Sequence, residues 1–180
     1  MARNADDLPA RLAKIKLLAL DVDGVMTDGG IIYPEDQTEP KVFFVRDGFA
    51  IRTWTNLGLR AAVITGRGST SVVRRCRELG IGPVIVGAKD KSVAFRELLK
   101  QTGVSAAEVA AVGDDLPDLP VLLAAGVSAA VADAVPEVKA AADFVTKNPG
   151  GRGAVRETIE WILGANGRWA EVVAKYREPA

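Results

Sequence analysis

Short apolar runs that alternate with amphipathic helical patterns are the feature that most constrains how this chain folds. The runs are residues 17–22, 59–65, 83–87, 109–113, 127–132 and 143–146. Each is too short for a helix and apolar almost throughout, which is typical of strands buried on both faces of a parallel sheet. The stretches between them carry apolar residues every three or four positions, and most end at glycine, as helices do. The pattern predicts an α/β fold with a doubly wound parallel sheet, whose ligand site lies at the carboxyl ends of the strands.

One stretch, at about residues 29–46, interrupts this alternation. Two β-rich runs flank a polar turn that contains proline, so we predict a β-hairpin inserted after the first strand. The hairpin is too small to be a domain, and we expect one domain over residues 1–180 with this insertion as a minimal cap. An isolated hairpin is marginal in water, and the apolar run 42–45 invites pairing with another chain. We therefore expect a homo-oligomer; the alternative is that this run packs on the chain's own sheet.

Composition excludes several kinds of chemistry. Histidine is absent and Cys76 is the single cysteine, which excludes Ser-His-Asp and Cys-His catalysis, histidine-ligated metals and multi-thiolate zinc sites. Lys plus Arg and Asp plus Glu both total 23, so the overall charge indicates neither nucleic acid nor an anionic membrane as a partner. One cysteine fits a reducing compartment, and no run approaches the roughly 18 apolar residues of a membrane span, so we expect a cytoplasmic protein.

Aspartates follow two of the predicted strands. Asp21 and Asp23 come where the first strand meets a glycine-containing turn, and two such carboxylates can divide the work of nucleophile and proton shuttle. Asp114 follows the fourth strand, and clustered carboxylate oxygens suit Mg²⁺. Simpler interpretations exist: Asp-Gly is a common turn pair, and Asp115 and Asp118 lie near a helix start, where acids act as caps without a metal. We assign Asp114 to a metal and leave the last two open.

Two further strand ends offer groups that bind anions. Thr65 and Gly66 follow the second strand and supply a hydroxyl and accessible amides near a helix start. Lys91 opens a helix after the third strand, so its ammonium can project into the same crevice, although most such lysines are simply solvated. Each signal is weak alone. The order of four such elements, each at a strand end, makes the combined interpretation stronger than any part.

In this order and spacing, the segments DVDG, VITGR, KDK and GDDLPD resemble the four motifs of the haloacid dehalogenase superfamily of phosphotransferases. DVDGVMTDGGIIY, FFVRDGFAIR, VGDDLPDLPVL, VSAAVADAVPEV and GGRGAVRE are similar to the 3-deoxy-D-manno-octulosonate 8-phosphate phosphatase family of lipopolysaccharide sugar synthesis, and the resemblance covers roughly residues 15 to 165. It implies a Mg²⁺-dependent phosphatase that acts on a small sugar-acid phosphate. It also implies that four chains join through their hairpins and that a neighbour helps to close each site.

The resemblance also implies roles for individual residues. Asp21 would attack phosphorus and form an aspartyl-phosphate, while Asp23 would protonate the leaving alkoxide and later activate water. Mg²⁺ would be held by the Asp21 side chain, the Asp23 backbone carbonyl and Asp114. The phosphoryl oxygens would be bound by Thr65, Gly66 and Lys91, with Asp115 and Asp118 in support, the latter orienting Lys91 or the metal ligands.

A sugar acid also carries a carboxylate, which calls for a second basic group. The candidates are Arg46 in VRDG, Arg67 in VITGR and Arg152 in the glycine-rich GGRG loop, since arginine can bind a carboxylate in bidentate geometry. For Arg156 we favour a plain charge on a helix surface.

Three other functions remain open at this point. Phosphatases of nine-carbon sialic and deaminated sialic acids share the superfamily and a similar site, and the VRDG and GGRGAVRE segments favour the eight-carbon substrate only moderately. A carbon–halogen hydrolase also uses an aspartate nucleophile, but Asp23 and Asp114 argue against it. A non-catalytic interaction module is disfavoured because the acids, Thr65 and Lys91 are all present.

Overall fold

A six-stranded parallel sheet organises the chain. The computed structural model describes residues 7–35 and 39–177. The strands are β1 (Leu17–Leu20), β2 (Arg60–Ile64), β3 (Val84–Ile85), β4 (Val109–Gly113), β5 (Val127–Ala130) and β6 (Phe144–Val145), in the order β3-β2-β1-β4-β5-β6. Every neighbouring pair is parallel, so the predicted doubly wound α/β sheet is confirmed. β3 and β6 are shorter than predicted, as edge strands often are, because each pairs on one side only.

The helices follow the predicted alternation. They are α1 (Leu8–Ala13), α2 (Val45–Asn56), α3 (Thr70–Leu79), α4 (Lys91–Thr102), α5 (Leu119–Ala124), α6 (Pro136–Ala141), α7 (Ala154–Ala165) and α8 (Arg168–Lys175), with short 3-10 turns at Ala106–Glu108 and Leu116–Asp118. α3 and α4 end at Gly80 and Gly103, both with positive φ, as their sequences predict. No helix in the described parts of the chain combines the length and the apolar character that a membrane crossing needs.

The core lies between the sheet and these helices, and β1 is at its centre. All four residues of β1 are buried, and the strand has a neighbour on each side. Leu20 pairs with Val63 of β2 and with Val112 of β4, so these three strands end at the same level. The residues that follow them therefore meet at one edge of the sheet.

The inserted segment differs from its prediction. Among its described residues, 29–35 and 39–44, no strand is present, and α2 begins inside the predicted hairpin. Residues 36–38 of the predicted turn lie outside the described residues. Phe43 packs against the core, but Tyr33 is 82% exposed and Val42 61% exposed. The hairpin prediction is wrong for the described part of this single chain, because two strands without a third strand or a packed face gain too little to form a ribbon.

Candidate active site

Asp21, Lys91 and Asp118 form a buried group of charges at the carboxyl edge of the sheet. Lys91, the first residue of α4, places Nζ 2.7 Å from Asp21 Oδ1 and 2.6 Å from Asp118 Oδ1. The three side chains are only 7–8% exposed. Lys91 is therefore not a solvated lysine, and its ammonium is the cation of this group.

Asp114 adds a third carboxylate. One carboxylate oxygen from each of Asp21, Asp114 and Asp118 lies within 4.8 Å of the other two. Asp118 Oδ2 accepts hydrogen bonds from the backbone N–H of Asp114 (3.0 Å) and of Asp115 (3.3 Å). Asp118, which contacts Lys91, thus also holds the turn after β4, and this turn places Asp114 beside Asp21.

Negative charge exceeds positive charge in this cluster. Burial, followed by repulsion from Asp21 and Asp118, raises the pKa of Asp114 to about 8. Burial and the Asp118 charge raise the pKa of Asp21 to about 6, although Lys91 acts in the opposite direction. A divalent cation among these oxygens would remove the repulsion, and a set of carboxylate oxygens is the donor set that Mg²⁺ prefers. The residues present therefore fit a magnesium site.

Gly24 forms the wall of the cluster beside Asp114. Its φ is +91°, a left-handed backbone conformation that glycine adopts without strain. A Cβ at this position would overlap the Asp114 carboxylate. The glycine of the DVDG segment is thus needed both for the turn and for the space that Asp114 occupies.

The Asp23 carboxylate is held by a residue that the sequence analysis missed. Lys41, from the inserted segment, lies 2.5 Å from Asp23 Oδ1 and 2.5 Å from Glu39 Oε1. The Lys41 side chain is 1% exposed, whereas those of Asp23 and Glu39 are about a fifth exposed. The only feature of the sequence that could have indicated this contact is a lysine next to the apolar run 42–45. The sequence does not show which acid that lysine contacts.

Thr65 and Gly66 follow the end of β2, and Asp115 follows Asp114 after the end of β4. Thr65 is buried at the end of β2, and its hydroxyl accepts a hydrogen bond from the backbone N–H of Arg67 (3.2 Å), which shapes the loop around Gly66. Asp115 is exposed, and its carboxylate accepts a hydrogen bond from the backbone N–H of Leu116 (2.8 Å). The contacts of Asp115 are those of a cap, one of the two interpretations left open.

The candidate arginines separate into two places. Arg67 donates through Nε and Nη2 to the two carboxylate oxygens of Glu39, at 3.1 Å each. Arg46, Arg152 and Arg156 instead line one cleft of about 360 Å³ at the start of α7. Arg156 also pairs with Glu160 (2.7 Å), as expected for a charge on a helix surface, but its place in the cleft was not predicted.

The GGRG loop that carries Arg152 is hydrogen-bonded to, and packs against, the turn after β1 and the first turn of α2. The N–H of Gly151 donates to the carbonyl of Val25 (2.9 Å), and a Cβ at Gly150 would overlap the carbonyl of Gly24. Asp47, buried in the first turn of α2, accepts hydrogen bonds from the backbone N–H of Gly153 (3.1 Å) and Arg156 (2.8 Å). The VRDG segment thus caps α7 and holds the loop against the turn that carries Asp23.

Curated relatives named 3-deoxy-D-manno-octulosonate 8-phosphate phosphatase KdsC match most of this chain. The protein of Escherichia coli strain K12 is 45% identical over 165 residues, which cover 92% of this chain and 88% of the relative. The Salmonella typhi protein is 46% identical over 157 residues, or 87% of this chain and 84% of the relative. The chain belongs to this phosphatase family.

Solved structures agree with membership of the KdsC phosphatase family. The structure from Moraxella catarrhalis, described as a complex with a magnesium ion, a phosphate ion and KDO, has a TM-score of 0.89 and 40% identity and covers 95% of this chain and 99% of that chain. A probable YrbI family phosphatase from Pseudomonas syringae has a TM-score of 0.92 at 40% identity and covers 97% and 99%. The broader family of haloacid dehalogenase-like hydrolases matches residues 80–158.

Proposed function

We propose that this protein hydrolyses 3-deoxy-D-manno-octulosonate 8-phosphate to the free sugar acid and phosphate, in a Mg²⁺-dependent reaction of lipopolysaccharide precursor synthesis. The cluster of Asp21, Lys91, Asp114 and Asp118 carries this proposal, because it brings three carboxylates and an ammonium group together, which supports a nucleophile, a cation and metal ligands at one point. The KdsC relatives support the eight-carbon substrate over the nine-carbon acids.

In the first step, an Asp21 oxygen attacks phosphorus and the bond between phosphorus and the sugar oxygen breaks. Asp23 gives its proton to that oxygen, so the sugar leaves as a neutral alcohol. In the second step, Asp23 takes a proton from water, which attacks the phosphorus of the aspartyl-phosphate and frees Asp21. Two easier displacements thus replace one difficult hydrolysis.

The carboxylates of Asp21 and Asp114 and the backbone carbonyl of Asp23 would hold Mg²⁺. When bound, it supplies positive charge that offsets the negative charge of the transferring phosphoryl group. Lys91 adds charge from the protein side, and its contact with Asp118 holds its ammonium beside Asp21. Thr65 and the amides around Gly66 bind the remaining phosphoryl oxygens.

The sugar carboxylate binds in the cleft that Arg46 and Arg152 line. Arg46 and Arg152 line the same space of about 360 Å³ at the start of α7, and an arginine can offer two parallel hydrogen bonds to a carboxylate. Arg152 also donates through Nη2 to Asp28 (3.4 Å) in this structure. Arg67 suits this task less well, because its Nε and Nη2 already donate to the two carboxylate oxygens of Glu39.

The enzyme acts as a homotetramer in the cytoplasm. The inserted segment supports assembly, because it leaves a row of apolar side chains open for a partner chain to cover. These are Ile31, Ile32, Tyr33, Val42 and Val45, which are 45%, 50%, 82%, 61% and 79% exposed. Cys76 is a buried free thiol, which suits a reducing compartment. Size-exclusion chromatography with light scattering tests the assembly, and a stable, fully active monomer would contradict it.

Steady-state kinetics test the activity. We expect kcat/KM to favour the eight-carbon over the nine-carbon sugar-acid phosphate, chelator to abolish turnover, and Asp21→Asn to lack activity. Glu97→Gln, which neutralises an exposed acid on α4, is the matched control and should retain wild-type kinetics. Turnover by Asp21→Asn would refute the nucleophile, and a preference for nine-carbon acids would refute the substrate.

A further inference from the structure

Lys41 occupies an unusual position for a lysine. Its ammonium lies between two carboxylates, Asp23 and Glu39, at 2.5 Å from each, and its side chain is almost wholly inaccessible to solvent. Lysine is rarely buried this deeply unless it is paired. The two acids remain partly exposed, so the Asp23 carboxylate can still meet a ligand from its open side.

The pair belongs to a row of alternating charges. Asp23 contacts Lys41, Lys41 contacts Glu39, and Glu39 accepts two hydrogen bonds from Arg67. The row runs from the turn after β1, through the inserted segment, to the loop after β2. Because Arg67 donates to both carboxylate oxygens of Glu39, Glu39 can fix the ammonium end of the Lys41 side chain. Lys41 in turn contacts Asp23 at Oδ1.

We propose that Lys41 is a positioning residue that holds the Asp23 carboxylate in the orientation needed for proton transfer to the leaving group, with Glu39 as the anchor for Lys41. This inference rests on the proposed function, in which Asp23 is the proton donor. The O–H bond at Asp23 breaks and a new O–H bond forms on the sugar oxygen, while the electrons of the broken P–O bond stay on that oxygen. Without Lys41, the Asp23 side chain can rotate away from the sugar oxygen, and a proton donor that is out of line loses most of its effect.

Leaving-group dependence separates this role from a structural one. An alkyl phosphate needs a proton on its leaving oxygen, whereas p-nitrophenolate leaves readily without one. The parameter kcat/KM reports the steps up to and including departure of the leaving group, so it isolates the transfer in which Asp23 acts as an acid. The test compares Lys41→Met, Lys41→Arg and Glu39→Gln with wild type on the sugar-acid phosphate and on p-nitrophenyl phosphate. Lys100→Met, an exposed lysine at the end of α4, is the control.

We expect Lys41→Met to lower kcat/KM for the sugar-acid phosphate by about 10- to 100-fold, within the range that a proton donor contributes, and for p-nitrophenyl phosphate by less than about threefold. The loss should lie in kcat rather than KM, because the Lys41 side chain is 1% exposed and its ammonium is occupied by Asp23 and Glu39. Lys41→Arg should recover most of the loss, Glu39→Gln should show a smaller loss of the same kind, and Lys100→Met should match wild type.

An equal loss on both substrates, no loss on either, or a raised KM with unchanged kcat would each overturn the role of Lys41. Circular dichroism establishes that the variants are folded. The wild-type rate on the sugar-acid phosphate tests the proposed function separately. If that rate is absent, the Lys41 comparison is made with whichever alkyl phosphate the wild type hydrolyses.

Discussion

Replacement of Lys91 by methionine gives the most direct test of the charge balance in the site. The change keeps a long apolar stem but removes the ammonium that contacts Asp21 and Asp118 at 2.7 and 2.6 Å. Three carboxylates then face one another in a buried space without a cation from the protein. Loss of one partner from a buried ion pair destabilises a protein by about 3–5 kcal/mol, because the remaining charge is uncompensated.

The lower end of this range is expected here. The pKa values of Asp114 and Asp21 are already raised, to about 8 and about 6, so one of these acids can take up a proton in the variant and relieve part of the repulsion. A loss of about 3 kcal/mol lowers the melting temperature of a domain of this size by about 6–12 °C. Because the variant cluster is more negative, Mg²⁺ should stabilise it more than it stabilises wild type.

Thermal unfolding in chelator and in saturating Mg²⁺ measures both effects. Lys89→Met is the matched control, because Lys89 is exposed and lies two residues before Lys91. The Lys89→Met variant should unfold at the same temperature as wild type. In parallel, kcat/KM should fall by at least about 10²-fold, as it does when a donor to developing charge is removed. A decrease of less than about 2 °C in chelator, or an equal decrease in Lys89→Met, would refute the idea that Lys91 balances the carboxylate cluster.

Two further predictions concern the same cluster. Gly24→Ala adds about 1–3 kcal/mol of backbone strain and pushes on the Asp114 carboxylate, so the Mg²⁺ concentration for half-maximal activity should rise at least about tenfold. The control is Gly58→Ala, where φ is +78° and no neighbouring atom lies within 4 Å of the added Cβ. The Mg²⁺ concentration for half-maximal activity should not change in this control. Without metal, the raised pKa values of Asp21 and Asp114 mean that folded chains retain protons that unfolded chains lose above about pH 4. The unfolding free energy in chelator should therefore fall as pH rises through about 6 and 8, and saturating Mg²⁺ should reduce this slope. Urea unfolding across this pH range measures the free energy. An unfolding free energy that increases with pH in chelator would contradict this expectation.

The sheet and the main acids were predictable because their patterns are local or follow from parallel topology. A run such as Leu17–Leu20 indicates a buried strand by itself, and the carboxyl ends of neighbouring parallel strands must meet at one edge. The same rule predicts that Asp21 lies near Asp114, and the two acids share one cluster in the structure. The contact between Lys91 and Asp118 was one of the roles suggested for that acid.

The contacts of the inserted segment were not predictable in the same way. Lys41 and Glu39 lie in irregular backbone, where no period of the sequence tells which way a side chain points. The two β-rich runs of the segment indicated strands, but strand formation depends on a neighbour that the described residues do not supply. The separation of Arg67 from Arg152 was not predictable for a similar reason. It depends on the contact of Arg67 with Glu39, which lies in the same irregular backbone.

The packing of Gly150 and Gly151 against the turn after β1 has a consequence for synthesis of the protein. The loop that supports the turn after Asp21 comes some 130 positions later in the chain, where Gly151 donates to the carbonyl of Val25. A ribosome extends the chain at roughly 5–20 residues per second, so this support is missing for several seconds after Asp21 has been made. Nascent chains therefore lack this support for the turn after β1 until residue 151 has been translated.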